Sequence, residues 1–195
     1  MYIPEVQALL KKLLGADEVA AFHPYLRKTG AEAGTDFQPP GIGAHIDFAP
    51  HFAAQVARDH VPYAGYEYSR FACVNVWRVL SDPPQDWPLA VCDGRSVPET
   101  AGVFNALIYT ETLPNMEDVK PADPLSPGGT IFQYDPRLQW HFYSNMKKDE
   151  ALCFKLFDSN RKEGWRVPHA AFFDTTRPDA KQRMSYEIRT VCYFK

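Results

Sequence analysis

Hydrophobic positions at the start of the chain recur with a helical period. Val6, Leu9, Leu10, Leu13 and Leu14 share that spacing, Pro4 suits the first helical turn and Gly15 suits the stop, so residues 4–14 are predicted to form an amphipathic helix. Glu18–Lys28 reads as a strand, the Gly- and Pro-rich Thr29–Gly43 as a loop, and Ala44–Phe48 as a short extended piece. Pro50–His60 reads as a second helix with Phe52 and Val56 facing inward and Pro62 just beyond its end. From Arg70 the pattern changes to strands. RFACVNVWRVL alternates and is rich in β-branched and aromatic residues; WPLAVCD, GTIFQYDP, QWHFYS, EALCFKLFD, VPHAAFF and RMSYEIRTVCYF follow, separated by turns or polar breaks. Ala101–Glu111 fits helix or strand, and the proline-rich, acidic Pro114–Pro127 reads as a surface loop. Many short strands punctuated by turns, with flanking helices, indicate a mainly β fold: a sandwich, jelly roll or barrel. No internal repeat or long linker divides the chain, so 1–195 is expected to be a single domain.

Composition narrows the function classes. With 23% charged and 45% hydrophobic residues this is an ordinary globular chain, long enough to bury a core without disulfides. The formal charge of −3 gives no basic excess for nucleic acid or an anionic membrane. No stretch free of Asp, Glu, Lys and Arg exceeds 11 residues, far short of the roughly 20 apolar residues of a membrane-spanning helix. The first residues lack the order of a signal peptide. Cys73, Cys92, Cys153 and Cys192 each sit alone in an apolar run, so reduced thiols packed as small hydrophobes in a cytoplasmic protein are expected, not a zinc knuckle. No GxSxG, GxGxxG or P-loop is present. Trp140–Tyr143 reads as a packed core strand in preference to a base-stacking platform.

The triplet His45-Ile46-Asp47 carries the most chemical information. On a strand, residues i and i+2 point to the same face, so an imidazole and a carboxylate project side by side. With one distant histidine they form the two-His-one-carboxylate triad that holds non-haem Fe(II) and leaves coordination positions open. His169 in Pro168-His169-Ala170 would supply that ligand. Arg183 on the next strand would grip a dicarboxylate by a bidentate ion pair, and Ser185 would add a hydroxyl. The plain alternatives are a surface His beside an Asp at a helix entry and a core histidine satisfied by the backbone. HxD, a late His and RxS in this order are far more specific than any one of them. On the last strand Arg183, Ser185, Glu187 and Arg189 share one face, either solvated or turned into a polar pocket. Arg183 and Arg189 are about 20 Å apart along an extended strand, so Arg189 is expected to orient Asp47 or to join an ion pair with Glu187 or Asp158 if it does not touch the cosubstrate. Asn75, Trp77, Arg78 and Lys155 are further candidates for the pocket, and His51 is a weak spare ligand.

The blocks Asn75-Val76-Trp77-Arg78, Pro88–Val97, Trp140–Phe142, Phe157-Asp158-Ser159, Pro168–Phe172 and the spaced Arg183, Ser185, Glu187 and Arg189 resemble the hydroxylase/desaturase family of non-haem iron oxygenases, whose members are longer at the N-terminus. The resemblance implies a double-stranded β-helix (jelly roll, cupin-like), with Fe(II), 2-oxoglutarate as cosubstrate and dioxygen. It assigns the metal to His45, Asp47 and His169 and the cosubstrate to Arg183; Ser185 and Arg189, on the same strand face, are further cosubstrate-binding candidates. It implies hydroxylation, desaturation or cyclisation of a small-molecule metabolite, as in secondary metabolism. Two other readings remain at this point: a metal-dependent oxidase that uses the same triad without 2-oxoglutarate, and a cupin-like binding protein with a vestigial site.

Overall fold

The computed structural model describes residues 2–32, 35–107, 115, 117, 123, 125–162 and 164–195. In chain order the elements are α1 (Tyr2–Leu14), β1 (Glu18–Lys28), β2 (Phe37–Gln38), β3 (His45–Ile46), α2 (Pro50–Asp59), β4 (Arg70–Val79), β5 (Leu89–Cys92), a 3-10 turn (Gly94–Ser96), β6 (Val103–Ala106), β7 (Gly128–Ile131), β8 (Trp140–Phe142), β9 (Leu152–Asp158), β10 (His169–Ala171) and β11 (Met184–Phe194). Among the described residues the strands make two sheets, in the orders β2-β1-β11-β4-β9 and β6-β7-β3-β10-β5-β8. Pairing is antiparallel except for the short β1·β2 contact. The fold is a jelly roll with two helices.

The alternation along β11 explains how the five-stranded sheet is buried on both faces. Ile188 and Cys192 point outward with Ala72, Val74 and Val76 of β4 and are covered by Val6 and Leu10 of α1. This is the amphipathic stripe of the N-terminal helix finding its surface. Val191 and Tyr193 point inward and join Cys73, Trp77 and Val79 in the core between the sheets. The same inward face carries Ser185, Glu187 and Arg189, so the charged face is turned into the molecule: Arg183 and Ser185 are each 1% exposed. The inner lane of β11 is thus polar at one end and apolar at the other, and the polar end marks where the site is built. The Tyr193 hydroxyl donates to the Ala57 carbonyl at 2.8 Å and ties α2 to the apolar end.

Several expectations change in detail. Val56 is buried, but Phe52 is only partly so, because it lines a cavity. The described part of Ala101–Glu111 is a strand, β6. Pro114–Pro127 falls largely outside the described residues. Trp140, His141 and Phe142 form an exposed strand, not a core strand, because among the described residues β8 lies at the sheet edge and pairs only with β5. All four cysteines are free, and burial pushes the Cys73 and Cys192 thiols well up.

Candidate metal and cosubstrate site

β3 and β10 are antiparallel neighbours, with His45 directly opposite His169. Cross-strand partners project to the same face, and the two imidazole centroids lie 4.4 Å apart. Asp47, two residues beyond His45, stays on that face. Its Oδ1 is 3.6 Å from His45 Nε2 and its Oδ2 is 3.9 Å from His169 Nε2. One ligating atom from each residue lies within 4.8 Å of the others, the only such group among the described residues. The approach of the next strand depends on a glycine. A Cβ on Gly129 of β7 would lie 2.4 Å from the Ile46 carbonyl oxygen and 3.2 Å from that of Asp47. Gly129→Ala is therefore expected to displace the β3 backbone and to cost about 1–3 kcal/mol, read by chemical denaturation.

The Asp47 carboxylate is gripped from behind. Arg189 donates from Nη2 to Oδ1 at 2.9 Å and from Nε to Oδ2 at 3.2 Å. Glu187 links this guanidinium to a second one, with Oε1 at 3.7 Å from Arg189 Nη2 and 3.1 Å from Arg27 Nη2. Burial alone would raise the Asp47 pKa; Arg189 and the two histidines outweigh it and hold the carboxyl well below the usual range. Burial drives His169 down to about 3, aided by His45, so its ring is neutral with a lone pair to offer. Burial also lowers His45, but its hydrogen bond and charge interaction with Asp47 outweigh this and leave its pKa raised. The Gly43 carbonyl, 2.6 Å from His45 Nδ1, orients that ring. Such backing of ligating side chains by carbonyls and charges is what fixes their aim.

On the other side of the histidines a narrow cleft is lined by Gly41, His45, Trp77, Leu89, His169 and Arg183. Arg183 donates from Nη1 to the Trp87 carbonyl at 2.6 Å and lies 5.5 Å from the Trp77 ring centroid. Among the described residues its Nε has no partner, nor has Ser185 Oγ, nor either amide atom of the fully buried Asn75. Arg183 makes no salt bridge among the described residues, and burial pulls its pKa down to about 10. A buried cation and a hydroxyl left without partners are costly unless a ligand completes them.

Not every sequence candidate comes to this place. Lys155 bonds Asp158 at 3.3 Å, and Arg78 lies over the Tyr2 ring on the outer face. His51 is held in α2 by the Ser126 carbonyl at 2.9 Å. Arg27 and Gly129 belong to the site but carry no motif. The signal for Arg27 is its place on the inward face of β1, opposite Ser185 of β11, which emerges only once the strands are paired.

A jelly roll with two histidines and a carboxylate converging beside a buried arginine that makes no salt bridge among the described residues defines a class of metal-binding jelly-roll proteins. A family profile described as an oxidoreductase/YMDC permease-like domain matches residues 1–193. Among the described residues no helix is long and apolar enough to cross a membrane. The chain is 32% identical to the Fe(II)/2-oxoglutarate-dependent dioxygenase nvfI of Aspergillus novofumigatus, over 98% of this chain and 66% of that protein. It is 35% identical to the hydroxylase/desaturase asaB of Aspergillus flavus, over 79% of this chain and 69% of that one. The solved structure of the iron and alpha-ketoglutarate-dependent endoperoxidase NvfI superposes with a TM-score of 0.84 at 28% identity, covering 99% of this chain and 68% of its own. The chain belongs to the hydroxylase/desaturase family of Fe(II)/2-oxoglutarate-dependent oxygenases. It spans about two thirds of the length of these relatives.

Proposed function

We propose that the protein is a non-haem Fe(II)/2-oxoglutarate-dependent oxygenase that hydroxylates, desaturates or cyclises a small molecule, with residues 1–195 acting as one domain. The observation that carries this reading is the pairing of two features beside one cleft: the converged His45, Asp47 and His169, and the buried Arg183 with Ser185, whose Nε and Oγ atoms have no hydrogen-bond partner among the described residues. The donor set fits the metal, since two imidazole nitrogens and one carboxylate leave coordination positions open and match the preference of Fe(II). The arginine fits the cosubstrate, since a planar guanidinium binds a carboxylate with two parallel hydrogen bonds.

In this reading His45, Asp47 and His169 hold the metal, and Arg189 keeps the Asp47 carboxylate ionised and aimed. Arg183 and Ser185 bind the distal carboxylate of 2-oxoglutarate. The cleft is narrow, so entry of the cosubstrate moves side chains that line it. Fe(II) held by His45, Asp47 and His169 would supply the redox chemistry that couples decarboxylation of 2-oxoglutarate to succinate, by dioxygen, with oxidation of a substrate C–H bond. The Trp77 and Leu89 walls keep water from the cosubstrate side.

The test is anaerobic reconstitution with Fe(II), followed by exposure to air, 2-oxoglutarate and a metabolite panel. Succinate is expected in step with product; product without succinate would favour the oxidase reading instead. Arg189→Lys gives a second check. A lysine cannot reproduce the paired contact on Asp47, so metal affinity is expected to fall on the order of 10-fold. Titration with a surrogate metal reads this, and an unchanged affinity would remove Arg189 from the positioning of Asp47.

A further inference from the structure

Two cavities meet at His45, and their chemistry differs. The narrow one holds Arg183. The other has a volume of about 600 Å³ and is lined by Phe48, Phe52, Val56, Leu107 and Ile131 as well as by polar groups. That size suits a small organic molecule, for which sites of roughly 300–1,000 Å³ are usual. Each formally charged side chain on its lining is already matched among the described residues. Arg189 holds Asp47 with two hydrogen bonds, and Arg27 is bonded to Glu187 at 3.1 Å and to the Pro39 carbonyl at 3.0 Å. No unmatched guanidinium faces this cavity, in contrast to the cleft beside it.

One polar side chain on the lining is singled out by its backbone. His23 has φ +44°, in the left-handed region that a non-glycine residue rarely adopts. It sits where β1 slips register against β11 between Phe22 and Pro24. Bulges of this kind re-aim side chains and gather near active sites. Strain held by the surrounding structure is a pointer to function when it is observed at such a place. The His23 ring packs edge-on against Phe22 at 5.2 Å and makes no hydrogen bond to a described residue. His23 is exposed where it lines this cavity, and what desolvation it has, with Arg189 and His60 nearby, lowers its pKa, so the ring is neutral at physiological pH and offers one donor and one acceptor.

We propose that this cavity takes an uncharged, largely apolar small molecule, and that His23 binds a hydroxyl or carbonyl oxygen on it and so sets which carbon faces the triad. The inference rests on the reading of His45, Asp47 and His169 as the metal site. It divides the two ligands by charge: the dicarboxylate goes to Arg183, and the neutral substrate to the cavity whose cations are already neutralised. Because His23 is exposed, water satisfies it when a ligand does not, so the discrimination it adds is that of one net hydrogen bond.

The test uses protein loaded with Mn(II) and 2-oxoglutarate, and three probes that share one skeleton: 2-naphthol, naphthalene and 2-naphthoate. Equilibrium dialysis is expected to show 2-naphthol bound about 5-fold more tightly than naphthalene, the worth of one hydrogen bond. It is expected to be bound about 10-fold or more tightly than 2-naphthoate, whose charge would be stripped of water without a partner. His23→Phe should bring the naphthol-to-naphthalene ratio to about one, and His23→Gln should keep part of it. Binding of 2-naphthoate as tight as that of 2-naphthol, binding of none of the three, or an undiminished ratio in His23→Phe would overturn the proposal. Retention of Mn(II) and 2-oxoglutarate, read in the same dialysis, separates the cases. If both are retained only the substrate assignment falls, whereas their loss from the wild-type protein overturns the metal-site reading and this inference with it.

Discussion

Arg183→Ala is expected to lose 2-oxoglutarate binding while the protein still takes up metal. Arg183 is 1% exposed, and its guanidinium makes a single hydrogen bond among the described residues, at Trp87, so donors remain for the ligand. Truncating one member of a buried, hydrogen-bonded charge pair costs about 2–5 kcal/mol, roughly 30-fold or more in affinity. Arg183→Lys should recover little, since the forked geometry is lost. The same burial gives a second, opposite signature. An uncompensated guanidinium is a liability in the ligand-free fold, so Arg183→Met is expected to melt no lower than wild type without ligand, yet to lose the upward shift that 2-oxoglutarate confers on wild type. Calorimetric titration of the cosubstrate into metal-loaded variants, with melting curves beside it, reads both effects. Unchanged cosubstrate affinity in Arg183→Ala would remove Arg183 from this role.

Asp47→Ala and His169→Ala should both abolish metal binding but differ in what they do to the metal-free fold. Removing Asp47 leaves Arg189 without its bidentate partner and with Glu187, at 3.7 Å, as its remaining carboxylate among the described residues, so the cost is expected at or below the low end of the about 3–5 kcal/mol of a fully uncompensated buried charge. Removing His169 deletes a neutral ring that packs 4.8 Å from Phe154, so its cost is one of packing. The pH dependence separates them again. The Asp47 carboxyl is depressed, so its stabilising contribution is fully present above about pH 4, the unfolded value, and is lost as pH falls toward the folded one. His169 is held down to about 3, so between about pH 6.5 and 3 the unfolded chain takes the proton first, and stability falls as pH drops through that window. His169→Gln is expected to flatten the upper part of that slope. Urea unfolding of metal-free proteins at a series of pH values checks this, and an identical slope in His169→Gln would place the effect elsewhere.

The elements legible in the sequence were those whose local pattern and tertiary role agree. β1 runs over Glu18–Lys28 as its pattern indicates, and α1 starts near Pro4 and stops before Gly15 as the cap residues require. His45 and Asp47 were legible because i and i+2 share a face in any strand. That His169 lies opposite His45 could not be read, because strand order is a long-range property that no local period encodes. The alternation on β11 placed Arg183, Ser185, Glu187 and Arg189 together but was silent on whether they faced water or the interior. The covering of the opposite face by α1 decides it. β8 was misread because an aromatic run looks the same at a sheet edge as in a core, and only the pairing with β5 alone exposes Trp140 and Phe142. Arg27 was invisible for a related reason: the bulge at His23 shifts which residues of β1 face inward, and a one-residue slip reverses every side chain beyond it.

The central claim is that one site binds the metal and 2-oxoglutarate together, through His45, Asp47 and His169 on one side and Arg183 on the other. The most direct measurement is the affinity of the wild-type protein for 2-oxoglutarate with and without Mn(II) under anaerobic conditions. The account predicts that the metal tightens 2-oxoglutarate binding by an order of magnitude or more, since the ligand then bridges the metal and Arg183 at once. Equal affinity in the presence and absence of metal, or no binding in either, would contradict it.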